Sequence, residues 1–205
     1  MLLYAAKGCG SALAEIALDW SGVAYQTEWL DWSEVQAQSH IGLKAANPLH
    51  QVPTLVLDDG RILTESAAIV LWLDENYPNA RLLPQSGSAE RVHALRWLIF
   101  LVSTLYPTFS YGDFPARYVA DADGQKQLLA ATKMRRKAMW QQLNEAALAP
   151  WFCGAEPTML DAYIAVMSKW HPRRAWFTQN APRLYAIAQR ADELAMVKPT
   201  QLRNA

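Results

Sequence analysis

Hydrophobic and polar residues change their spacing along the chain, and this change separates an alternating first part from a helical second part. Up to residue 78, short apolar or alternating runs are separated by stretches with helical periodicity. This pattern predicts the order strand–helix–strand–helix–strand–strand–helix. The predicted strands are residues 2–5, 25–29, 54–57 and 61–64, and the clearest helices are residues 11–18 and the one that Glu65 opens. Residues 33–46 are polar and irregular, and we expect one short helix there.

The second part of the chain has helical periodicity throughout. Two prolines and a Ser-Gly-Ser cluster precede it, which is the composition of a linker. We therefore predict an α/β domain (residues 1–78), a linker (79–88) and an all-α helical bundle domain (89–205). The predicted helices are residues 90–118, 125–148, 158–170 and 182–191. Pro107 and Gly112 predict a kink in the first of them.

Composition excludes several classes of partner. The chain has 205 residues, 52% of them hydrophobic, and 19 basic and 19 acidic side chains give zero formal charge. A neutral chain has no strong field for nucleic acid or an anionic membrane, so we expect neither partner. The longest near-continuous apolar run, residues 97–102, is short of the ~20 residues of a membrane span. The absence of a basic leader, together with two cysteines 144 positions apart, predicts a cytoplasmic protein.

Two neighbouring motifs carry the candidate chemistry. Pro53, within Gln51-Val52-Pro53-Thr54-Leu55, lies at the start of a strand, and Asp58-Asp59-Gly60 predicts the hairpin turn that follows. Glu65-Ser66 then opens a helix. This layout brings backbone groups, a carboxylate and a helix N-terminus to one side of a small sheet. It predicts a site for a peptide-like ligand that carries both an amine and a carboxylate.

These motifs resemble those of the glutathione S-transferase superfamily, and in particular of its small bacterial members. The matching segments are Asn47-Pro48, residues 51–55, 58–60 and 65–69, and a second signature at Thr158–Tyr163. The resemblance covers essentially the whole chain. It implies a thioredoxin-like N-terminal domain (βαβαββα), a helical C-terminal domain and a two-fold homodimer. It also implies glutathione as co-substrate and an electrophilic small molecule as second substrate, without naming that molecule.

The resemblance assigns a role to each residue of the predicted glutathione site. A cis bond between Val52 and Pro53 would let the cysteinyl unit pair with the backbone of Val52, although an ordinary proline at a strand entry is the common alternative. Ser66 would bind the γ-glutamyl carboxylate and Glu65 the amine, whereas helix capping is the structural alternative. Gln51 would assist. His50 would meet the glycyl carboxylate, or else be a solvated loop histidine.

Two residues compete as the group that acts on the glutathione thiol. Ser11 begins the first helix, and its hydroxyl could stabilise the thiolate, or it could only cap the helix. Cys9 could instead form a mixed disulfide, which would make the protein a glutathione-dependent thiol-disulfide reductase or peroxidase. Cysteine-dependent members carry their cysteine where Gly10 stands, so Cys9 is one position away from the pattern. A protein that binds glutathione or an apolar ligand without turnover is the third hypothesis.

Two further predictions concern the helical part. Aromatic residues surround the predicted kink and could form the pocket of the second substrate, although core packing is the alternative for each of them. These residues are Tyr106, Phe109, Tyr111, Phe114 and Tyr118, with Arg117 beside them. Thr158 and Asp161 predict a capping pair for a buried helix, with a structural role only. The histidines lack metal-ligand spacing, so we predict no metal site.

Overall fold

The computed structural model describes residues 1–204 and divides the chain into two compact units. The first unit contains Met1–Leu83 together with the C-terminal segment that begins at Ala191, and the second contains Pro84–Arg190. Residues 79–83 of the predicted linker thus lie in the first unit. The predicted domain boundaries at 78 and 88 stay a prediction.

A four-stranded mixed sheet organises the first unit. The strands are β1 (Leu2–Ala5), β2 (Gln26–Trp29), β3 (Thr54–Val56) and β4 (Ile62–Thr64). Their order in the sheet is β2-β1-β3-β4, with β1 parallel to β2 and antiparallel to β3. The apolar residues of the central strands explain this arrangement, because Leu3 and Leu55 face each other and are fully buried.

Five helices complete the first unit. They are α1 (Ser11–Ser21), α2 (Trp32–Ala37), α3 (Ile41–Ala46), α4 (Ser66–Asn76) and, from the C-terminal segment, α11 (Lys198–Arg203). Gly22 ends α1 in the left-handed conformation, as a glycine stop requires. The thioredoxin-like order of the first 76 residues confirms the predicted α/β fold.

The segment before β3 differs from the sequence prediction. We expected one short helix within residues 33–46, and the structure contains both α2 and α3 there. The ring of His40 explains the second helix, because its Nδ1 accepts a hydrogen bond from the backbone N–H of Leu43 at 3.1 Å. A histidine is an uncommon cap, and the sequence pattern gave no signal of it.

Helices alone build the second unit. They are α5 (Ala89–Phe100), α6 (Pro107–Asp113), α7 (Ala122–Ala146), α8 (Met159–Met167) and α9 (Arg174–Asn180), with α10 (Pro182–Asp192) continuing just past the division. The hydrophobic periodicity did not predict α9. The predicted kink lies ahead of Pro107, where Leu101–Leu105 forms a π-helical turn, and Gly112 lies inside α6 without a break.

One helical stretch also changes the expectation about membrane spans. Ala89–Asp113 as a whole has the length and the apolar composition of a membrane-crossing helix, although residues 97–102 alone do not. Core helices of soluble proteins share these properties, so the finding by itself is weak evidence of a membrane span. The absence of a membrane partner stays a prediction.

Helix α8 is held by the predicted capping pair. The fully buried carboxylate of Asp161 accepts hydrogen bonds from the backbone N–H of Thr158 at 2.7 Å and from its hydroxyl at 3.1 Å. The backbone N–H of Phe152 donates to the other carboxylate oxygen at 2.8 Å. Burial nevertheless raises the pKa of Asp161 to about 6. The prediction of a capping pair is confirmed.

Candidate functional site

Asn47 organises the loop that carries the Val52–Pro53 motif. Its side-chain nitrogen donates to the carbonyl of Gln51 and to the hydroxyl of Thr54, both at 3.1 Å. Its side-chain oxygen accepts from the backbone N–H of Leu49 at 3.0 Å. Asn47 is buried, so one amide fixes the loop from within. The sequence pattern placed Asn47 within a motif but did not predict this role.

Val52 presents unpaired backbone at the end of this loop. The Val52–Pro53 peptide bond is cis, as the resemblance implied. Among the described residues, neither the backbone N–H nor the carbonyl of Val52 has a hydrogen-bond partner. An unpaired donor and acceptor on one residue next to a strand is the arrangement that an extended peptide can join.

Glu65 and Ser66 lie at the start of α4, on the chain that follows β4. Glu65 has φ 64° and ψ 113°, a positive φ that is rare for a residue with a side chain. Its side chain is exposed and makes no capping hydrogen bond to the helix. Ser66, half-buried, is the first residue of the helix. Capping therefore does not account for the acidic side chain of Glu65, and the unusual backbone suggests a functional constraint.

The next residue before the motif, His50, is not a solvated loop histidine. Its side chain is 2% exposed, its Nε2 lies 3.1 Å from the carbonyl of His40, and its buried Nδ1 has no partner within residues 1–204. The solvated alternative is therefore wrong. Gln51 is exposed, and its carbonyl accepts from Asn47 and Thr54. Contacts of His50 and Gln51 with a ligand stay predictions.

Ser11 closes the loop that precedes α1. Its fully buried hydroxyl donates to the carbonyl of Ala6 at 2.9 Å and accepts from the backbone N–H of Ala6 at 3.1 Å. The structure thus gives Ser11 a structural role in the loop, although not the predicted alternative of a helix cap, since Gly10 is the N-cap. Its action on a thiol stays a prediction.

Cys9 lies in the same loop with a poorly activated thiol. Its Sγ donates to the carbonyl of Ala6 at 3.0 Å and lies 3.4 Å from the Ser11 hydroxyl. Burial raises the pKa of the Cys9 thiol, and the hydrogen bonds from Ser11 only partly oppose this effect. A raised thiol pKa lowers the fraction of reactive thiolate, which disfavours disulfide chemistry through Cys9.

The backbone of this loop offers another group for a thiolate. In the part of the chain that the structure describes, the N–H groups of Cys9 and Gly10 have no acceptor. They precede an 11-residue helix, where the helix dipole adds partial positive charge. The N–H of Ser11, next along the chain, lowers the pKa of the Cys9 thiol against the larger effect of burial, so N–H groups at this turn stabilise a nearby anionic sulfur. No side-chain pattern in the sequence indicates these backbone donors.

The predicted aromatic pocket divides into separate groups. Tyr106 and Phe109 both pack edge-on against Trp170, with ring centroids 5.7 and 5.2 Å away. Tyr111 and Tyr118 form another edge-on pair at 4.7 Å. Phe114 lies instead beneath the guanidinium of Arg117, 4.1 Å from the ring centroid to Cζ. Core packing therefore explains Phe109, which is buried, while Tyr118 is 53% exposed.

A groove of about 410 Å³ lies in the second unit between α6 and α7. Its lining residues are Ser103, Thr104, Pro107, Thr108, Tyr111, Leu128, Ala131, Thr132 and Arg135. Of the five predicted aromatic residues, only Tyr111 lines it. Tyr106 and Phe109, three positions apart, both pack against Trp170 instead, and Phe114 and Tyr118 lie beyond the end of α6.

Known proteins resemble this chain both in its first unit and over most of its length. The domain family described as glutathione S-transferase, N-terminal domain, matches residues 3–81. An uncharacterized GST-like protein of Escherichia coli K12, YncG, is 36% identical over 203 residues, which cover 98% of this chain and 97% of YncG. Glutathione S-transferase GstA of Escherichia coli O157:H7 is 29% identical over 171 residues, covering 83% of this chain and 82% of GstA. The chain belongs to the glutathione S-transferase family.

Solved structures agree with this assignment. A sphingomonad glutathione S-transferase complexed with glutathione has a TM-score of 0.79 at 26% identity, covering 100% of this chain and 98% of that one. A glutathione transferase homologue from Sulfitobacter, with bound glutathione, has a TM-score of 0.88 at 22% identity, covering 98% and 97%. At this lower identity, the similarity to the Sulfitobacter protein shows a shared fold only.

Proposed function

We propose that this protein is a glutathione transferase, which joins the sulfur of glutathione to an electrophilic small molecule. The observation that carries the proposal is the unpaired backbone of Val52 in the unit that also contains Glu65. The side chain of Glu65 is exposed, and its backbone has a positive φ. The glutathione bound by the sphingomonad relative supports it. A cytoplasmic homodimer belongs to the same proposal.

Each part of glutathione has a chemically matched partner in this proposal. The cysteinyl unit pairs with the backbone N–H and carbonyl of Val52 beside the cis bond to Pro53. The γ-glutamyl carboxylate binds at the N-terminus of α4, with Ser66, and the carboxylate of Glu65 pairs with the amine. His50 and Gln51 assist at the glycyl end.

The N–H groups of Cys9 and Gly10 at the start of α1 stabilise the thiolate, and Ser11 holds the loop that presents them. On binding, the glutathione thiol loses its proton to solvent. The thiolate sulfur then attacks the electrophilic carbon, so a sulfur–carbon bond forms. The electron pair of the bond that breaks leaves with the leaving group, or moves onto an acceptor that is later protonated by water. The proposed set for the electrophile is Tyr106, Tyr111, Phe114 and Tyr118, with Tyr111 in the groove, because Phe109 is buried in the core.

Ultraviolet absorbance of the bound thiolate tests this function directly. A titration of the protein–glutathione complex against pH should give a thiol pKa about 2 units below the ordinary value of about 8.5, because backbone donors and the helix dipole favour the anion. Free glutathione is the control. Binding without any change of the thiol pKa would make the protein a binder only, and no binding would contradict the proposal.

Replacement of Cys9 by serine separates the transferase from the rival reductase. Because burial raises the pKa of the Cys9 thiol, we expect Cys9→Ser to change the rate of conjugation less than about threefold, a difference under ~0.7 kcal/mol in the barrier. The assay uses a chromogenic electrophile at saturating glutathione. Cys153→Ser, at the other free cysteine, is the matched control. A Cys9→Ser protein without conjugation activity would show that the thiol itself takes part.

A further inference from the structure

A hydrogen-bonded network in the first unit joins the C-terminal segment to α1 and to the loop before it. Glu15 of α1 is 1% exposed, and its Oε1 accepts from Nε of Arg203 at 3.3 Å. Its Oε2 accepts from the side-chain nitrogen of Asn204 at 2.8 Å. Arg203 also donates to Asp19 at 2.7 Å. Both oxygens of a buried carboxylate are thus paired by two adjacent residues from the far end of the chain.

Asn204 extends this network to the loop before α1. The backbone N–H of Gly8 donates to the side-chain oxygen of Asn204 at 3.3 Å. Gly8 has φ 72°, a left-handed conformation that suits glycine and reverses the chain ahead of the helix. One amide therefore connects the beginning of the loop to Glu15 inside the helix, while Ser11 ties the end of the loop back to Ala6.

We propose that Asn204 is a positioning residue for the thiolate-binding N–H groups of Cys9 and Gly10, which it orients by holding Gly8 against α1. This inference rests on the proposed function. Donors stabilise a developing or bound anion best when their direction is fixed beforehand, so that no reorganisation is needed. Asn204 acts through Gly8 and does not contact glutathione itself.

The charge of Glu15 gives the network a second effect on the same loop. A carboxylate near the start of α1 opposes a thiolate there, and Glu15 contributes to raising the pKa of the neighbouring Cys9 thiol. The Arg203 guanidinium and the Asn204 amide stabilise the Glu15 charge, and they lower the pKa of Glu15 against the stronger effect of burial. The C-terminal segment thus orders the loop through Asn204, while the positive charge of Arg203 offsets the carboxylate behind the loop.

The test replaces Asn204 by alanine and follows the thiol pKa of bound glutathione by ultraviolet absorbance. We expect this pKa to rise by about half a unit, with roughly threefold slower conjugation at a pH well below the thiol pKa, because part of a helix-terminus interaction is lost. Glutathione affinity measured well below the thiol pKa should stay near wild type. Leu202→Ala, at a 71% exposed position of α11, is the matched control. Equal thiol pKa values in the two variants would overturn the proposal.

A second variant distinguishes a positioning role from general loosening of the fold by the direction in which the thiol pKa of bound glutathione changes. Glu15→Gln keeps a side-chain oxygen for Asn204 and removes the negative charge, so it should lower the thiol pKa of bound glutathione. Mere loosening of the fold would raise it in both variants. A raised value in Glu15→Gln would therefore also contradict the proposed arrangement.

A measurement without glutathione distinguishes a failure of this proposal from a failure of the proposed function. Alkylation of Cys9 by iodoacetamide, followed by mass spectrometry, reports how often the loop opens. We expect several-fold faster alkylation in folded Asn204→Ala than in Leu202→Ala. If the wild type binds no glutathione, the transferase proposal fails alone, and equal Cys9 rates in the two variants would then also remove the role of Asn204.

Discussion

Asp161→Ala is expected to lower the free energy of unfolding by about 3–5 kcal/mol, a larger loss than we expect from any other of the proposed substitutions. The fully buried carboxylate of Asp161 accepts from the N–H of Phe152 and from both the N–H and hydroxyl of Thr158. Alanine leaves these donors without an acceptor in the core of the second unit. Urea denaturation measures the difference, and activity per folded molecule should stay near wild type.

The matched control for this change is an exposed acid in the first turn of another helix. Asp123→Ala removes the same group from the start of α7, where the side chain is 84% exposed, and should cost less than ~1 kcal/mol. Because burial raises the pKa of Asp161 to about 6, the folded protein binds this proton more tightly than the unfolded chain. The stability linked to this proton should therefore be fully present below about pH 4, the pKa of an ordinary aspartate, and decline as the pH rises through about 6. A cost as small as that of Asp123→Ala would contradict the structural role.

Glu65→Ala and Ser66→Ala should each weaken glutathione binding by roughly ten- to a hundred-fold, since each removes a charge-assisted hydrogen bond worth about 1.5–3 kcal/mol. Glu65 is exposed and makes no capping bond, so its loss should leave the fold intact. Calorimetric titration with glutathione measures the affinity, and circular dichroism verifies the helix content.

Glu90→Ala supplies the comparison for this pair of variants. Glu90 is likewise an exposed acid near a helix start, in the first turn of α5 of the second unit, and its removal should leave glutathione affinity unchanged. Unaltered affinity in both Glu65→Ala and Ser66→Ala would reduce this pair to elements of helix structure, and the ligand would have to be sought elsewhere.

The strands and the long helices could be predicted because their patterns are local. The apolar run at residues 54–57, the turn at Gly60 and the returning segment at 61–64 placed the hairpin within one or two residues. The resemblance supplied what local patterns cannot, such as the cis bond at Val52–Pro53. The prediction of a thioredoxin-like part followed by a helical part came from the local patterns and from the resemblance together.

The remaining features depend on contacts between distant residues. His40 caps α3 with a ring nitrogen, and the carbonyl of His40 also faces buried His50. The hydroxyl of Ser11 is occupied by Ala6, which no spacing rule encodes. The predicted aromatic residues separate because Tyr106 and Phe109 pack against Trp170, whereas Tyr118 lies beyond the end of α6 and packs against Tyr111. In each case tertiary packing, rather than local propensity, decides where the side chain lies.

The docking of the C-terminal segment has a consequence for synthesis on the ribosome. β1 and α1 are synthesised before the second unit, whereas Arg203 and Asn204 are synthesised after it. While the entire second unit is being synthesised, Glu15 of the nascent first unit therefore lacks its partners Arg203 and Asn204. Completion of the loop before α1 therefore depends on residues that are synthesised only after the whole second unit.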